Sequence, residues 1–235
     1  MRDASPGTPA VDRLTELLVA VEAPRDRLPL LLALADAVSG VDARRAAALA
    51  HDAAELALSL ADLPARAEAL FVGGRCADLN LEHGRALAQY DEALRAFEAA
   101  GDDRAAARTL RAISFVHDTL GDFSRALDSQ FRALELDERT GDQGSQAATL
   151  RTIGVVYSRS DDPRTGLDYY RRSLALATRP EDAVERGKTL NNIGINLKNL
   201  GQYAEAHAAL VEAHQLFVAL GLPLQQSATL NNLGL

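Results

Sequence analysis

Six residues, Thr189-Leu190-Asn191-Asn192-Ile193-Gly194, return almost unchanged forty residues later as Thr229-Leu230-Asn231-Asn232-Leu233-Gly234. The same step taken backwards from Leu190 lands on Leu150, Leu110, Leu70 and Leu30, and threonine again precedes leucine at Thr149 and Thr109. A fixed period of this length constrains the chain to stacked units that bury their apolar faces against neighbours, instead of one globular core.

The turn signals divide each period into two helices. Ser39-Gly40, Glu82-His83-Gly84, Gly121-Asp122, Asp161-Asp162-Pro163 and Gly201-Gln202 fall in mid-unit, and Gly101-Asp102, Gly141-Asp142, Arg179-Pro180-Glu181 and Gly221-Leu222-Pro223 fall between units. Glycine accepts positive φ there, and Asp or Pro opens the next helix. The result is helices of about 16 to 18 residues, roughly 25 Å long. This frame places repeats at 27–66, 67–106, 107–146, 147–186 and 187–226, with a truncated sixth at 227–235. Residues 11–23 form a capping helix, with Asp12 at its start and Leu14, Leu17, Leu18 and Val21 at helical spacing, and residues 1–10 read as a disordered lead. Residues 11–235 are thus expected to be one continuous all-α solenoid.

Small residues mark where the helices approach. Ala46, Ala86, Ala126 and Ala206 share one place early in the second helices, and Ala53, Ala93, Ala133 and Ala213 follow two turns later on the same face. Gly74, Gly154 and Gly194 recur in the first helices, where a glycine costs about 1 kcal/mol against alanine unless packing requires it. The chain is 47% hydrophobic but 5% aromatic, without tryptophan, so the interior is expected to be leucine and alanine.

Several function classes lose support at this stage. The net charge of −8 carries no general nucleic-acid or membrane signal, and no run of about 18 apolar residues or signal sequence is present. Cys76 stands alone, so no intramolecular disulfide or thiolate cluster can form, which fits a reducing, cytoplasmic setting. The five histidines lack metal-site spacing, and only His207 and His214 share a helix face. Gly73-Gly74 and Gly141-Asp142-Gln143-Gly144 lack the ending of a phosphate loop, and no serine sits in a nucleophile elbow. No catalytic residues, cofactor or metal are expected. Cys76 reads as a buried filler, and Tyr169-Tyr170 as a surface and a core residue.

The series Leu190, Ile193, Gly194, Leu197, Gly201, Tyr203, Ala206, Leu210, Ala213 resembles the tetratricopeptide repeat, and Leu110, Ile113, Phe123, Ala126, Ala133, Leu134 repeats it. The resemblance covers about residues 27–235, and the long unit resembles the arrays of kinesin light chain, spindle adaptors and bacterial Rap-type regulators. It implies a right-handed superhelix of antiparallel helix pairs. Two departures mark where stacking is least assured: the 27–66 unit keeps little beyond Ala and Leu, and Gly166 replaces the expected alanine.

The resemblance also implies a concave groove lined by first helices. The positions facing it are Glu68, Phe71, Arg75 and Asp78; Arg108, Arg111, Phe115 and Asp118; Arg151, Val155 and Arg159; and Lys188, Asn191, Asn192, Ile195, Lys198 and Asn199, with Asn231 and Asn232 following. Seven cations against three anions suit an extended, acidic protein or peptide segment, with Arg111 and Arg151 stacked one repeat apart as a ladder. Lys188, Asn192 and Asn232 match the first members of a carboxylate clamp of the co-chaperone type, and asparagine is equally the repeat consensus at those positions.

These features read as a non-catalytic protein-binding scaffold, the N-terminal sensory part of a longer bacterial signalling protein. One alternative is the regulatory region of a nucleotide cyclase such as a diguanylate cyclase, of a kinase or of a transcription regulator, with its output domain beyond Leu235. Another is nucleic-acid binding through the basic groove, against which the acidic total and sparse groove aromatics argue. The sixth unit stops in mid-helix, so Leu230, Leu233 and Leu235 are expected to seek partners, with self-association as one outcome.

Overall fold

The computed structural model describes residues 9–234, which form twelve α-helices and one short 3₁₀ turn. The expected lead at residues 1–10 lies almost wholly outside the described residues; its last two, Pro9 and Ala10, open a helix. Leu235 also lies outside them.

The described residues divide into two compact units, up to Val116 and from His117 onward. The first contains α1 (Pro9–Ala20), α2 (Pro24–Val38), α3 (Ala43–Ser59), α4 (Leu63–Leu79), α5 (His83–Ala100) and most of α6 (Asp103–Thr119). The second holds the end of α6, then α7 (Phe123–Thr140), α8 (Gln143–Arg159), α9 (Pro163–Leu176), α10 (Ala183–Asn199), α11 (Tyr203–Ala219) and α12 (Pro223–Leu233). In the first unit α1 through α5 pack consecutively; in the second α7 to α12 do the same. First helices also touch the next first helix: α2 against α4, α8 against α10, and α10 against α12.

Local chemistry sets these boundaries. Asp42, Asp62, Asp122, Asp142 and Asp162 each accept the backbone N–H of the third helical residue, at 2.9–3.2 Å. Each bond satisfies one amide that has no partner within its helix. Most of the inter-helix turns take positive φ, at Gly101, Gly121, Gly141, Gly201 and Gly221 but also at Ala61, Leu81 and Asp161; the turn at Ser39-Gly40 before Asp42 does not, and Gly40 has no positive φ there. The turn read from the sequence at Glu82-His83-Gly84 therefore sits slightly earlier, on Leu81 at φ 62°, and Gly84 lies inside α5.

The alanine columns are core. None of Ala46, Ala53, Ala86, Ala93, Ala126, Ala133, Ala206 and Ala213 is more than 3% exposed. The recurring threonines Thr109, Thr149, Thr189 and Thr229 are wholly buried and satisfy their hydroxyls locally. Thr109, Thr189 and Thr229 donate to the carbonyl four residues back at 2.8–2.9 Å, while Thr149 donates to Asp137 Oδ2 at 2.7 Å. Hydroxyls paired in this way can be buried without the cost of an orphaned polar group.

Both places where the repeat pattern weakens are well packed. In the first unit Leu28 and Leu31 of α2 form a core with Ala53, Ala54, Ala57 and Ala69, covered by Leu18, Leu56 and Leu60. At Gly166 the helices approach closely. A Cβ there would lie 2.4 Å from Ser158 Oγ and 2.8 Å from the Gly154 carbonyl oxygen. Ser158 donates to that carbonyl at 2.8 Å and accepts from Asn196 Nδ2 at 2.6 Å, and Tyr170 Oη lies 3.3 Å away. Gly166 thus makes room for a polar link joining α8, α9 and α10.

The longest linker, between α9 and α10, is held by charge. Arg179 donates through Nε and Nη2 to both carboxylate oxygens of Asp182, at 3.0 and 2.9 Å, and through its backbone N–H at 3.1 Å. These hydrogen bonds hold the Asp182 carboxyl below its ordinary value of 3.8. A carboxyl depressed by folding contributes stability that is present above its unfolded pKa and is lost as pH falls through the folded value. Amide protection in the first turn of α10 is therefore expected to stay constant down to the ordinary aspartate range and to drop below it. Hydrogen exchange at stepped pH checks this, and Arg179→Met should remove the pH step.

Candidate functional site

In the first unit the predicted cations sit against carboxylates of neighbouring first helices. Arg75 on α4 pairs with Asp36 on α2, and Arg108 on α6 pairs with Glu68 on α4. The Arg108 guanidinium also lies 4.0 Å from the centre of the Phe71 ring, a cation–π contact that leaves Phe71 buried instead of lining an open groove. Arg111 is half-buried and engaged within the fold, and Phe115 is 59% exposed. Cys76 is buried, and that burial pushes its thiol pKa up, as suits a filler.

In the second unit the arginines are matched likewise. Arg151 on α8 pairs through Nε with Glu185 on α10, both about four-fifths buried, and Arg159 pairs with Asp118 at the end of α6. Burial raises the Asp118 pKa against the opposing pull of Arg159. Glu68 and Asp118, both in the groove set read in the sequence, balance Arg108 and Arg159, whereas Asp36 and Glu185, absent from that set, balance Arg75 and Arg151. The signal that locates them is a carboxylate on the adjacent first helix, near the height of the arginine.

The amides and lysines behave differently. Asn232 Nδ2 donates to Asn191 Oδ1 at 2.9 Å, tying α12 to α10, and Lys198 Nζ reaches the Asn232 carbonyl oxygen at 3.4 Å. Lys188, Lys198, Asn199 and Asn231 are exposed, and Asn192 is half-buried beside them. Among the described residues no carboxylate pairs with Lys188 or Lys198. The structure therefore joins Asn191, Lys198 and Asn232 by direct contacts between α10 and α12, and places Lys188, Asn192, Asn199 and Asn231 on the same two helices with side chains at least partly exposed.

Sequence reasoning passed over Asn196. It is 2% exposed and holds the link to Ser158. Its counterparts in the second to fourth repeats are Cys76, Val116 and Val156, with Asp36 in the divergent first, so a polar residue after three apolar ones was the available signal. Among the described residues no group of three or more His, Cys, Asp or Glu side chains is placed to hold a metal ion. No described helix is long and apolar enough to cross a membrane.

Consecutive helix pairs, joined by short capped turns and packed through columns of alanine and glycine, define a helical-repeat protein. Residues 145–219 match the family model of the tetratricopeptide repeat. Solved structures share the fold. BtubC (BKLC) from P. vanneervenii is 20% identical, with 90% of this chain and 88% of that one covered and a TM-score of 0.74. A Rap protein complexed with Competence and Sporulation Factor is 16% identical, with 95% and 68% covered and a TM-score of 0.70. The quorum sensor NprR from B. thuringiensis in its apo form is 14% identical, with 94% and 62% covered and a TM-score of 0.76. Among curated protein sequences the chain finds no match.

Proposed function

We propose that this tetratricopeptide-repeat protein is a binding scaffold that holds an extended acidic segment of a partner protein on the first-helix surface of α10 and α12. The observation that carries the reading is the contrast among the cations. Arg75, Arg108, Arg151 and Arg159 are neutralised by carboxylates of the chain itself, whereas Lys188 and Lys198 stand exposed among amides. Lysine ammonium groups attract acidic side chains, and asparagine amides offer both donors and acceptors to an extended backbone. The Rap protein solved with Competence and Sporulation Factor supports a binding role for this fold.

The chain spans 62% of the NprR chain, a quorum sensor, which supports the further reading that these repeats are the sensory part of a longer signalling protein. That reading accommodates an enzymatic or DNA-binding output elsewhere in the protein.

The test uses two labelled peptides of alternating glycine with glutamate or with lysine, followed by fluorescence anisotropy. The glutamate peptide is expected to bind the more tightly, with affinity falling as salt rises. Lys188→Glu with Lys198→Glu should weaken it at least about tenfold. Equal binding of both peptides, or indifference to the double reversal, overturns the proposal.

A further inference from the structure

The strongest feature outside the proposed recognition surface is a cavity of about 290 Å³ between the start of α4 and the end of α5. Its lining is mostly apolar: Leu63, Pro64, Ala67, Leu70, Ala96, Ala99 and Ala100, with Arg66 and Glu92 at its edge. None of the predicted groove residues contributes to it.

The repeats explain why space is left here. Forty-residue steps from Ala96 reach Leu56, Leu136, Leu176 and Leu216, so this is the one repeat of five in which leucine is replaced by alanine. Ala100 likewise stands where Leu60 and Leu220 stand. The α10/α11 pair shows the filled counterpart. There Leu216 and Leu222 cover Leu190, Ala213 and Phe217. Their counterparts in α4 and α5 are Leu70, Ala93 and Phe97. The flanking ion pair is retained: Arg66–Glu92 in one pair of helices and Arg186–Glu212 in the other. The framework that seats a leucine is present in α4 and α5, and the leucine is missing.

We infer that this cavity is a docking site for one apolar side chain, of leucine or phenylalanine type, carried by a partner protein. The chain itself names the occupant's chemistry, since four of its own repeats place leucine at this position. The charges at the rim belong to a pair that neutralises itself, so they favour an uncharged group over an acidic or basic one. Leu63, 63% exposed at the edge, extends the apolar surface available to the rest of such a partner. This site goes beyond the acidic-segment reading and stands apart from it in sequence and chemistry.

The test uses the full chain, ¹⁵N-labelled, with N-acetyl-leucinamide and N-acetyl-phenylalaninamide as probes and N-acetyl-serinamide as control. The two apolar probes are expected to shift the amides of Leu70, Ala96 and Ala99, and the serine probe to leave them unmoved. Ala96→Leu restores the repeat consensus, so it should raise the thermal midpoint and weaken both apolar probes at least about tenfold. If that variant does not fold, Ala100→Leu serves in its place. Lys188→Glu with Lys198→Glu should leave these shifts intact, which separates this site from the acidic-segment surface. Absence of shifts with either apolar probe, or shifts that survive filling of the cavity, overturns the inference.

Discussion

Gly166→Ala is expected to destabilise the second unit by about 2 kcal/mol, within the roughly 1–3 kcal/mol typical of forcing an extra carbon into a packed contact. Helix propensity alone argues the opposite, since alanine is favoured over glycine by about 1 kcal/mol in a helix interior. Alanine also occupies this position in every other repeat, at Ala46, Ala86, Ala126 and Ala206. The steric term wins because the new Cβ would lie 2.8 Å from the Gly154 carbonyl oxygen, a backbone atom that cannot rotate away. It would also lie 2.4 Å from Ser158 Oγ, the atom that accepts from Asn196. Repeat arrays can unfold in stages, so the loss is best read locally, as hydrogen-exchange protection of α9 in mild denaturant. Adding Ser158→Ala and Asn196→Val, which removes the polar link and the contact with Ser158 Oγ but leaves the one with the Gly154 carbonyl, should recover only part of it. A neutral or stabilising Gly166→Ala would show that the helices separate freely and that the close approach is unimportant.

The second large effect concerns Arg151. Arg151→Glu should cost about 2 kcal/mol, because it sets two carboxylates together where Arg151 and Glu185 are about four-fifths buried. Exchanging the pair, Arg151→Glu with Glu185→Arg, should return most of that stability in urea denaturation. Lys198→Glu, at an exposed site, should change stability by less than about 0.5 kcal/mol. If Arg151→Glu proved as mild as Lys198→Glu, Arg151 would be a free recognition cation and the distinction between structural arginines and available lysines would fail.

These two cases show how far a repeat can be read as a string. The period, the helix pairs, the aspartate caps and the alanine columns were all legible, because each depends on residues within one or two turns of one another or on recurrence at a fixed step. The candidate recognition residues could be assigned to first helices from the sequence, yet their electrostatic state could not. Arg75 and Arg151 looked unbalanced, since Asp36 and Glu185 lie outside the facing positions, and the pairing of Arg108 with Glu68 and of Arg159 with Asp118, all four within them, shows only when the first helices stack. Gly166 looked like a weak point for a related reason. Its meaning depends on Ser158 and Asn196, which depart from consensus on two other helices and meet only when α8, α9 and α10 pack.

By itself the sequence determined an all-helical repeat of forty residues, the helix ends to within a few residues, and which faces are apolar, because caps, turns and helical periodicity act over short range. Only the tertiary structure decided which charges cancel, where a missing carbon is required and where a missing leucine leaves a cavity. Those outcomes depend on distances between side chains from different helices, and a contact of a few ångströms is set by how the helices settle against one another.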